Sequence, residues 1–82
     1  MNEEVLNLWI ESGLISYNES ELVILRKFIK LMDKHSLWLY QFKTNQFSFT
    51  NDAQRLDFTF TEIEQHIVNM AQGIPFPWQE FE

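Results

Sequence analysis

The segment Leu37–Thr50, LWLYQFKTNQFSFT, constrains the fold more than any other part of the chain. It contains five aromatic residues at every second position, three before and two after a polar KTNQ. Period-two alternation interrupted by a short polar stretch is typical of two antiparallel strands joined by a tight turn. The aromatic residues are then expected to share one face of the hairpin: Trp38, Tyr40, Phe42, Phe47 and Phe49.

The register of this hairpin follows from the position of its loop. A loop centred on the TN dipeptide pairs Tyr40 with Phe49, and a four-residue loop keeps the same pairing. Since a small sheet must bury one face to be stable, we expect the aromatic face to form the core. The alternative is an exposed aromatic platform for a ligand, although it lacks the interleaved basic residues of a surface for single-stranded nucleic acid.

Two helices are predicted before the hairpin, over residues 3–12 and 19–35. Gly13 follows the first helix at the position that favours a left-handed residue. Asn18 and Glu21 have the spacing of a capping box that opens the second helix. Apolar residues cover about half the circumference of the second helix. The other half carries a basic stripe: Arg26, Lys27, Lys30 and Lys34.

After the hairpin, residues 55–60 alternate again and predict a third strand. Its apolar face is formed by Leu56, Phe58 and Phe60. Thr61 and Glu64 then have capping-box spacing and predict a helix over residues 62–72, ended by Gly73. The buried stripe of this helix is expected to be Ile63, Ile67 and Met70.

The predicted order of elements is α-α-β-β-β-α, which indicates an α+β fold. It would be a single domain over residues 1–73, with helices packed on the aromatic face of a three-stranded antiparallel sheet. Residues 74–82 form a tail rich in proline and aromatic residues. We expect the tail to dock on the domain, since free aromatic side chains are unusual on a soluble monomer. The alternative is that its aromatic residues recognise a partner: Phe76, Trp78 and Phe81.

Charge is unevenly distributed along the chain. Residues 1–21 carry five acidic residues and no basic one, residues 22–50 have a net charge of +4, and residues 51–82 have a net charge of −5. The total of −6 disfavours non-specific binding to nucleic acid or to anionic membranes. Asp33 is expected to cancel part of the basic stripe beside Arg26. The absence of cysteine and of a long apolar run indicates a soluble, cytoplasmic protein.

Motifs for chemistry are sparse. His35 is expected to serve as a cation at the end of the long helix. His66 follows Glu62 by four residues, a spacing that could supply two metal ligands, but no third ligand is indicated. Both glycines have the position of helix caps, which leaves no phosphate-binding loop. We therefore expect no catalytic site, no metal, no cofactor and no enzymatic activity.

Three functional classes remain open. The first is a small interaction module that occupies the surface of another protein, for example an inhibitor or an immunity-type protein of phage or bacterial origin. The second is a nucleic-acid-binding regulatory module that uses the basic face of the long helix. The third is a structural or oligomerising subunit, including a homodimer. We expect the basic stripe and the three tail aromatics to be the partner-binding residues.

Overall fold

The computed structural model describes the backbone of residues 1–81 and the side chains of residues 1–78 and 80. Its elements follow in the predicted order: α1 (Asn2–Glu11), α2 (Glu19–Lys34), β1 (Trp38–Lys43), β2 (Gln46–Thr50), β3 (Arg55–Thr59), α3 (Phe60–Ala71) and a 3-10 helix (Trp78–Phe81). The strands form one antiparallel sheet in the order β1-β2-β3. The α+β prediction is confirmed. None of the helices in the described residues is long and apolar enough to cross a membrane.

The core lies between the helices and one face of the sheet. Phe28 at the centre of α2 is fully buried, and its ring lies 5.8 Å from that of Phe49 and 5.0 Å from that of Phe58. Leu6 of α1 and Ile63 of α3 are also fully buried in this cluster. All three α-helices therefore contribute to the same apolar layer, with α2 between the other two, as its wide apolar arc indicates.

The hairpin turn has two residues, Thr44 and Asn45, with φ values of 57° and 59°. Two successive left-handed residues make a type I′ turn, which matches the twist of the flanking strands. The register of Phe42 with Phe47 follows from this turn. Asparagine tolerates the left-handed region better than most residues, whereas Thr44 occupies it at a cost in energy.

The prediction that Trp38 and Tyr40 share the buried face of β1 with Phe42 is wrong. The register shifts between Leu39 and Gln41, so that Leu39 lies opposite Phe49 and Tyr40 is an extra residue in the strand. Such a β-bulge reverses the alternation on its N-terminal side. Leu39 is therefore buried, while Tyr40 is 43% exposed and Trp38 is 37% exposed. These two aromatic side chains belong to the open face of the sheet.

The second predicted capping box is also wrong in position. The helix is opened by Thr59 and Glu62 rather than by Thr61 and Glu64, and α3 begins at Phe60. The Thr59 hydroxyl accepts a hydrogen bond from the Glu62 amide at 3.2 Å, and the Glu62 carboxylate accepts one from the Thr59 amide at 2.8 Å. Thr59 is the last residue paired with β2, so the chain turns into the helix as soon as it leaves the sheet. Met70, predicted to be buried in this helix, is 36% exposed.

The boundaries of α1 and α2 lie within one residue of those predicted from the sequence. The Asn18–Glu21 capping box is present, with both hydrogen bonds at 2.9 Å. Gly13 and Gly73 adopt φ values of 79° and 87° and end α1 and α3. At the end of α2 the corresponding left-handed residue is Ser36, with φ of 56°. A Schellman hydrogen bond follows it, from the Leu37 amide to the Met32 carbonyl at 3.0 Å.

Asn2 holds the first turn of α1 against the edge of the sheet. Its side chain is 1% exposed. Its amide nitrogen donates to the Leu37 carbonyl at 2.9 Å and to the Ile29 carbonyl at 3.4 Å, and its oxygen accepts from the Leu39 amide at 2.9 Å. Bonds to the carbonyl before Trp38 and to the amide after it are the pattern of a parallel neighbouring strand. One side chain thus satisfies backbone groups at the edge of β1 that would otherwise be buried without partners.

Candidate partner-binding surface

The outer face of α2 carries three exposed lysines, Lys27, Lys30 and Lys34, which we call the lysine stripe. Their spacing of three and four residues places them in one row along the helix. The opposite face of α2 is fixed by burial in the core of its apolar residues: Leu25, Phe28, Ile29 and Met32. The core therefore determines which way the lysines point. Within the described part of the chain, none of the three forms an ion pair.

Arg26, predicted to belong to the same stripe, has a different role. Its guanidinium donates to the Glu3 carboxylate and to the Asn7 side-chain oxygen, both at 3.1 Å. It therefore ties α2 to α1, and the ion-pair partner of Arg26 is Glu3 rather than the neighbouring Asp33. The Asp33 side chain is half-buried, and one of its oxygens is buried without a hydrogen-bond partner among the described residues. The free basic surface carries three charges rather than four.

A groove beside the lysine stripe lies between α2 and α3. Its volume is about 300 Å³, and its lining is mostly apolar: Lys27, Leu31, Ile67, Met70 and Ala71. Leu31 and Ile67 are half-buried, while Met70 and Ala71 are exposed. We call this feature the α2–α3 groove. An apolar floor beside a row of cations combines two of the features by which proteins recognise amphipathic segments.

The tail residues are distributed differently from the lysines. Phe76 is 5% exposed, and its ring lies 6.0 Å from Phe28 and 4.6 Å from His66. Trp78 is half-buried, 4.3 Å from Phe76 and 3.8 Å from His35. In this arrangement Phe76 is not accessible to a partner. The side chain of Phe81 lies outside the part of the chain that the structure describes.

The two histidines contact aromatic rings. His35 is the C-terminal cap of α2 and its ring lies tilted against that of Trp78, while His66 lies among Phe28, Phe58 and Phe76. The carboxylate of Glu62 is engaged in its capping box. Among the described residues, no group of three histidine, aspartate or glutamate side chains is placed to hold a metal ion.

The open face of the sheet offers a second exposed surface. Trp38 and Tyr40 lie at its β1 edge, next to a polar centre in which the Ser48 hydroxyl donates to the Asp57 carboxylate. A groove of about 330 Å³ between α1 and β1 continues this surface, lined by Met1, Asn2, Val5, Trp38 and Leu39. Residue alternation alone did not indicate this surface, since it depends on the bulge at Tyr40.

Tyr17 lies in the connector between α1 and α2. Burial raises the pKa of the Tyr17 phenol above its ordinary value, and the nearby Glu21 carboxylate raises that pKa further. The ring stacks on Phe60 at 5.0 Å, which ties the connector between α1 and α2 to the start of α3. Tyr17 therefore has a structural role as a neutral side chain.

Sequence reasoning identified the lysines but not the groove beside them. Ile67 and Met70 were expected in the buried stripe of α3, because a helical period shows which residues are apolar but not how completely a neighbouring helix covers them. The exposure of Met70, which opens the groove, was not predicted from the sequence. Comparison with known proteins adds no assignment: no protein-family model matches the chain, and neither a curated protein nor a solved structure matches it.

Proposed function

We propose that this protein is a non-enzymatic interaction module that binds another protein through the lysine stripe of α2. The observation that carries the proposal is the combination of three exposed lysines in one row with an adjacent apolar groove. Unpaired charges of one sign steer a partner of opposite charge, and the apolar surface supplies affinity once contact is made.

A protein partner fits this surface better than nucleic acid does. With Arg26 bound to Glu3, only three cations remain on the outer face of α2, and the chain carries a net charge of −6. Affinity for duplex DNA depends strongly on the number of phosphates that are neutralised, so three contacts would give weak and salt-sensitive binding. An apolar groove floor also has no counterpart in a phosphate backbone.

The size and charge of the chain favour an inhibitor or immunity-type role, in the cytoplasm of a bacterium or in phage infection. A short acidic domain can act by covering a functional surface of its target, with no chemistry of its own. A homodimer would use the same surface, since the acidic first turn of α2 in one copy could face the lysines of another.

Affinity capture from the native host, followed by binding measurements with the purified partner, tests the proposal. The triple change of Lys27, Lys30 and Lys34 to Glu should leave the fold intact, because the three side chains are exposed. It should weaken the partner's association mainly through the on-rate. Lys43→Glu is a suitable control, since it alters an exposed lysine at the hairpin turn.

Two results would contradict the proposal. One is a partner that binds the triple variant as tightly as the unchanged protein. The other is micromolar binding to random duplex DNA at physiological salt that the triple change abolishes, which would favour the nucleic-acid alternative. Light scattering of the free protein distinguishes the third alternative, because self-association would appear without any partner.

A further inference from the structure

The α2–α3 groove has the features of a binding site for a helix. We infer that it binds an amphipathic helix of a partner protein, and that this helix carries carboxylates on the flank facing α2. The inference rests on the proposed function of the lysine stripe and adds the element and the chemistry that the stripe recognises.

The apolar floor fixes the kind of surface that binds. Leu31 and Ile67 present half-buried side chains to the groove, and Met70 is 36% exposed beside them. Ala71 is small and lets a neighbouring backbone approach closely. The flexible side chain of Met70 can adjust to the shape of an incoming apolar residue. An apolar row with spacing i, i+3, i+4 and i+7 would cover this floor.

The charges fix the polarity of the partner. Lys27 lines the groove itself, and Lys30 and Lys34 continue the row over two further turns of α2. At a rise of about 1.5 Å per residue, the row spans about 10 Å, which matches carboxylates at i, i+4 and i+7 of a facing helix. The α3 wall carries no lysine or arginine. The partner helix should therefore be acidic on one flank only.

The alternatives to a helix fit less well. An extended strand binds by adding to a sheet edge, whereas the walls of this groove are helices whose backbone groups bond within each helix. A nucleic acid would match the lysines but would leave the apolar floor uncovered. A helix satisfies its own backbone and can present both apolar and acidic side chains to the groove.

Selection from a display library of helical peptides tests the inference with the whole chain as bait. The library fixes apolar residues at i, i+3, i+4 and i+7 and randomises both flanks. We expect the recovered peptides to be enriched in Asp and Glu on one flank. Lys27→Glu or Met70→Glu should weaken their binding about tenfold or more, which corresponds to about 1.4 kcal/mol.

Matched controls separate the groove from general surface effects. Lys43→Glu makes the same charge change away from the groove, and Leu8→Glu replaces an apolar residue of α1 that is 61% exposed. Neither should alter peptide binding. Circular dichroism melting checks that each variant is folded, and Ala71→Glu provides a second groove variant if Met70→Glu unfolds.

The outcomes distinguish this inference from the proposed function. A failure to enrich any peptide, enrichment without acidic bias, or binding that is indifferent to Met70→Glu and Ala71→Glu would overturn the groove assignment. If Lys27→Glu then still weakens binding of the host partner, the lysine stripe stands without the groove. If the host partner also ignores the lysine changes, both proposals fail.

Discussion

Two parts of the chain are held against the same short junction between α2 and β1, but by different forces. On one side, the buried side chain of Asn2 donates a hydrogen bond to the carbonyl of Leu37 at 2.9 Å. On the other, Trp78 lies against the ring of His35 at 3.8 Å, next to the buried Phe76. We refer to these as the Asn2 junction and the aromatic segment (residues 74–78).

The difference between them lies in directionality. The Asn2 junction uses both the donor and the acceptor of one carboxamide, at fixed distances from backbone groups, so few other side chains can replace it. The rings of Phe76 and Trp78 in the aromatic segment are held by burial and packing, which tolerate changes of shape if area and volume are kept. The stability of the Asn2 junction should therefore depend on the hydrogen-bonding groups of the side chain, and that of the aromatic segment on side-chain volume.

The largest effect is expected in the aromatic segment. Phe76→Ala removes a side chain that is 5% exposed and should cost about 3–5 kcal/mol of unfolding free energy. Phe76→Leu keeps most of the volume and should cost less than about 2 kcal/mol. Urea denaturation monitored by circular dichroism measures both. Equal losses for the two variants would contradict a size-sensitive contact.

The Asn2 junction should show the opposite pattern. Asn2→Ala leaves the Leu39 amide and the Leu37 carbonyl buried without their partner, and should cost about 2–3 kcal/mol. Asn2→Asp keeps the shape but places a carboxylate beside a carbonyl oxygen, so it should be at least as destabilising. The same urea titrations apply. An Asp variant as stable as the unchanged protein would show that hydrogen-bond direction is unimportant here.

A smaller loss is expected for Trp78→Ala, because this side chain is only half-buried. The lost area corresponds to about 1–2 kcal/mol. Trp78→Phe should recover most of that loss, since it keeps a ring on His35. Thermal melts compare the three proteins. If Trp78→Ala matches Phe76→Ala in cost, the two rings are held as one unit rather than by their individual burial.

The smallest effect is expected at Ser36, in the connection between α2 and β1. Ser36 holds a left-handed conformation with φ of 56°, which glycine adopts without steric cost. Ser36→Gly should therefore stabilise the protein by about 0.5–1 kcal/mol. Ser20→Gly, in the first turn of α2, is the matched control and should destabilise it by a similar amount. Loss of stability in the Ser36 variant would indicate that its side chain is needed there.

The order of elements could be predicted from the sequence because its signals are local. The Asn18–Glu21 capping box, the two glycines and the hairpin turn each act within a few residues. The bulge at Tyr40 could not be predicted, since it depends on which residue of β1 meets Phe49 across the sheet. The error at Thr61 has a related cause: two threonine–glutamate pairs share one spacing, and only the end of strand pairing selects Thr59.

For the candidate surface, the exposed lysines were predictable and their surroundings were not. A helical period shows that Lys27, Lys30 and Lys34 oppose the core, but the contact of Arg26 with Glu3 joins residues 23 positions apart. The role of Asn2 depends on a contact over 37 positions. Long-range polar contacts leave no periodic pattern in the sequence, which is why both were missed.

The Asn2 hydrogen bond to Leu39 gives the protein a built-in reporter of local opening. The first turn of a helix usually frays, and amides near it exchange with solvent quickly. Here the Leu39 amide donates to Asn2 rather than to β2, so its exchange requires the first turn of α1 to leave the sheet. Amides of β2 in the middle of the sheet require the sheet itself to open. The difference between the two exchange free energies would therefore measure how tightly α1 is docked, separately from global unfolding.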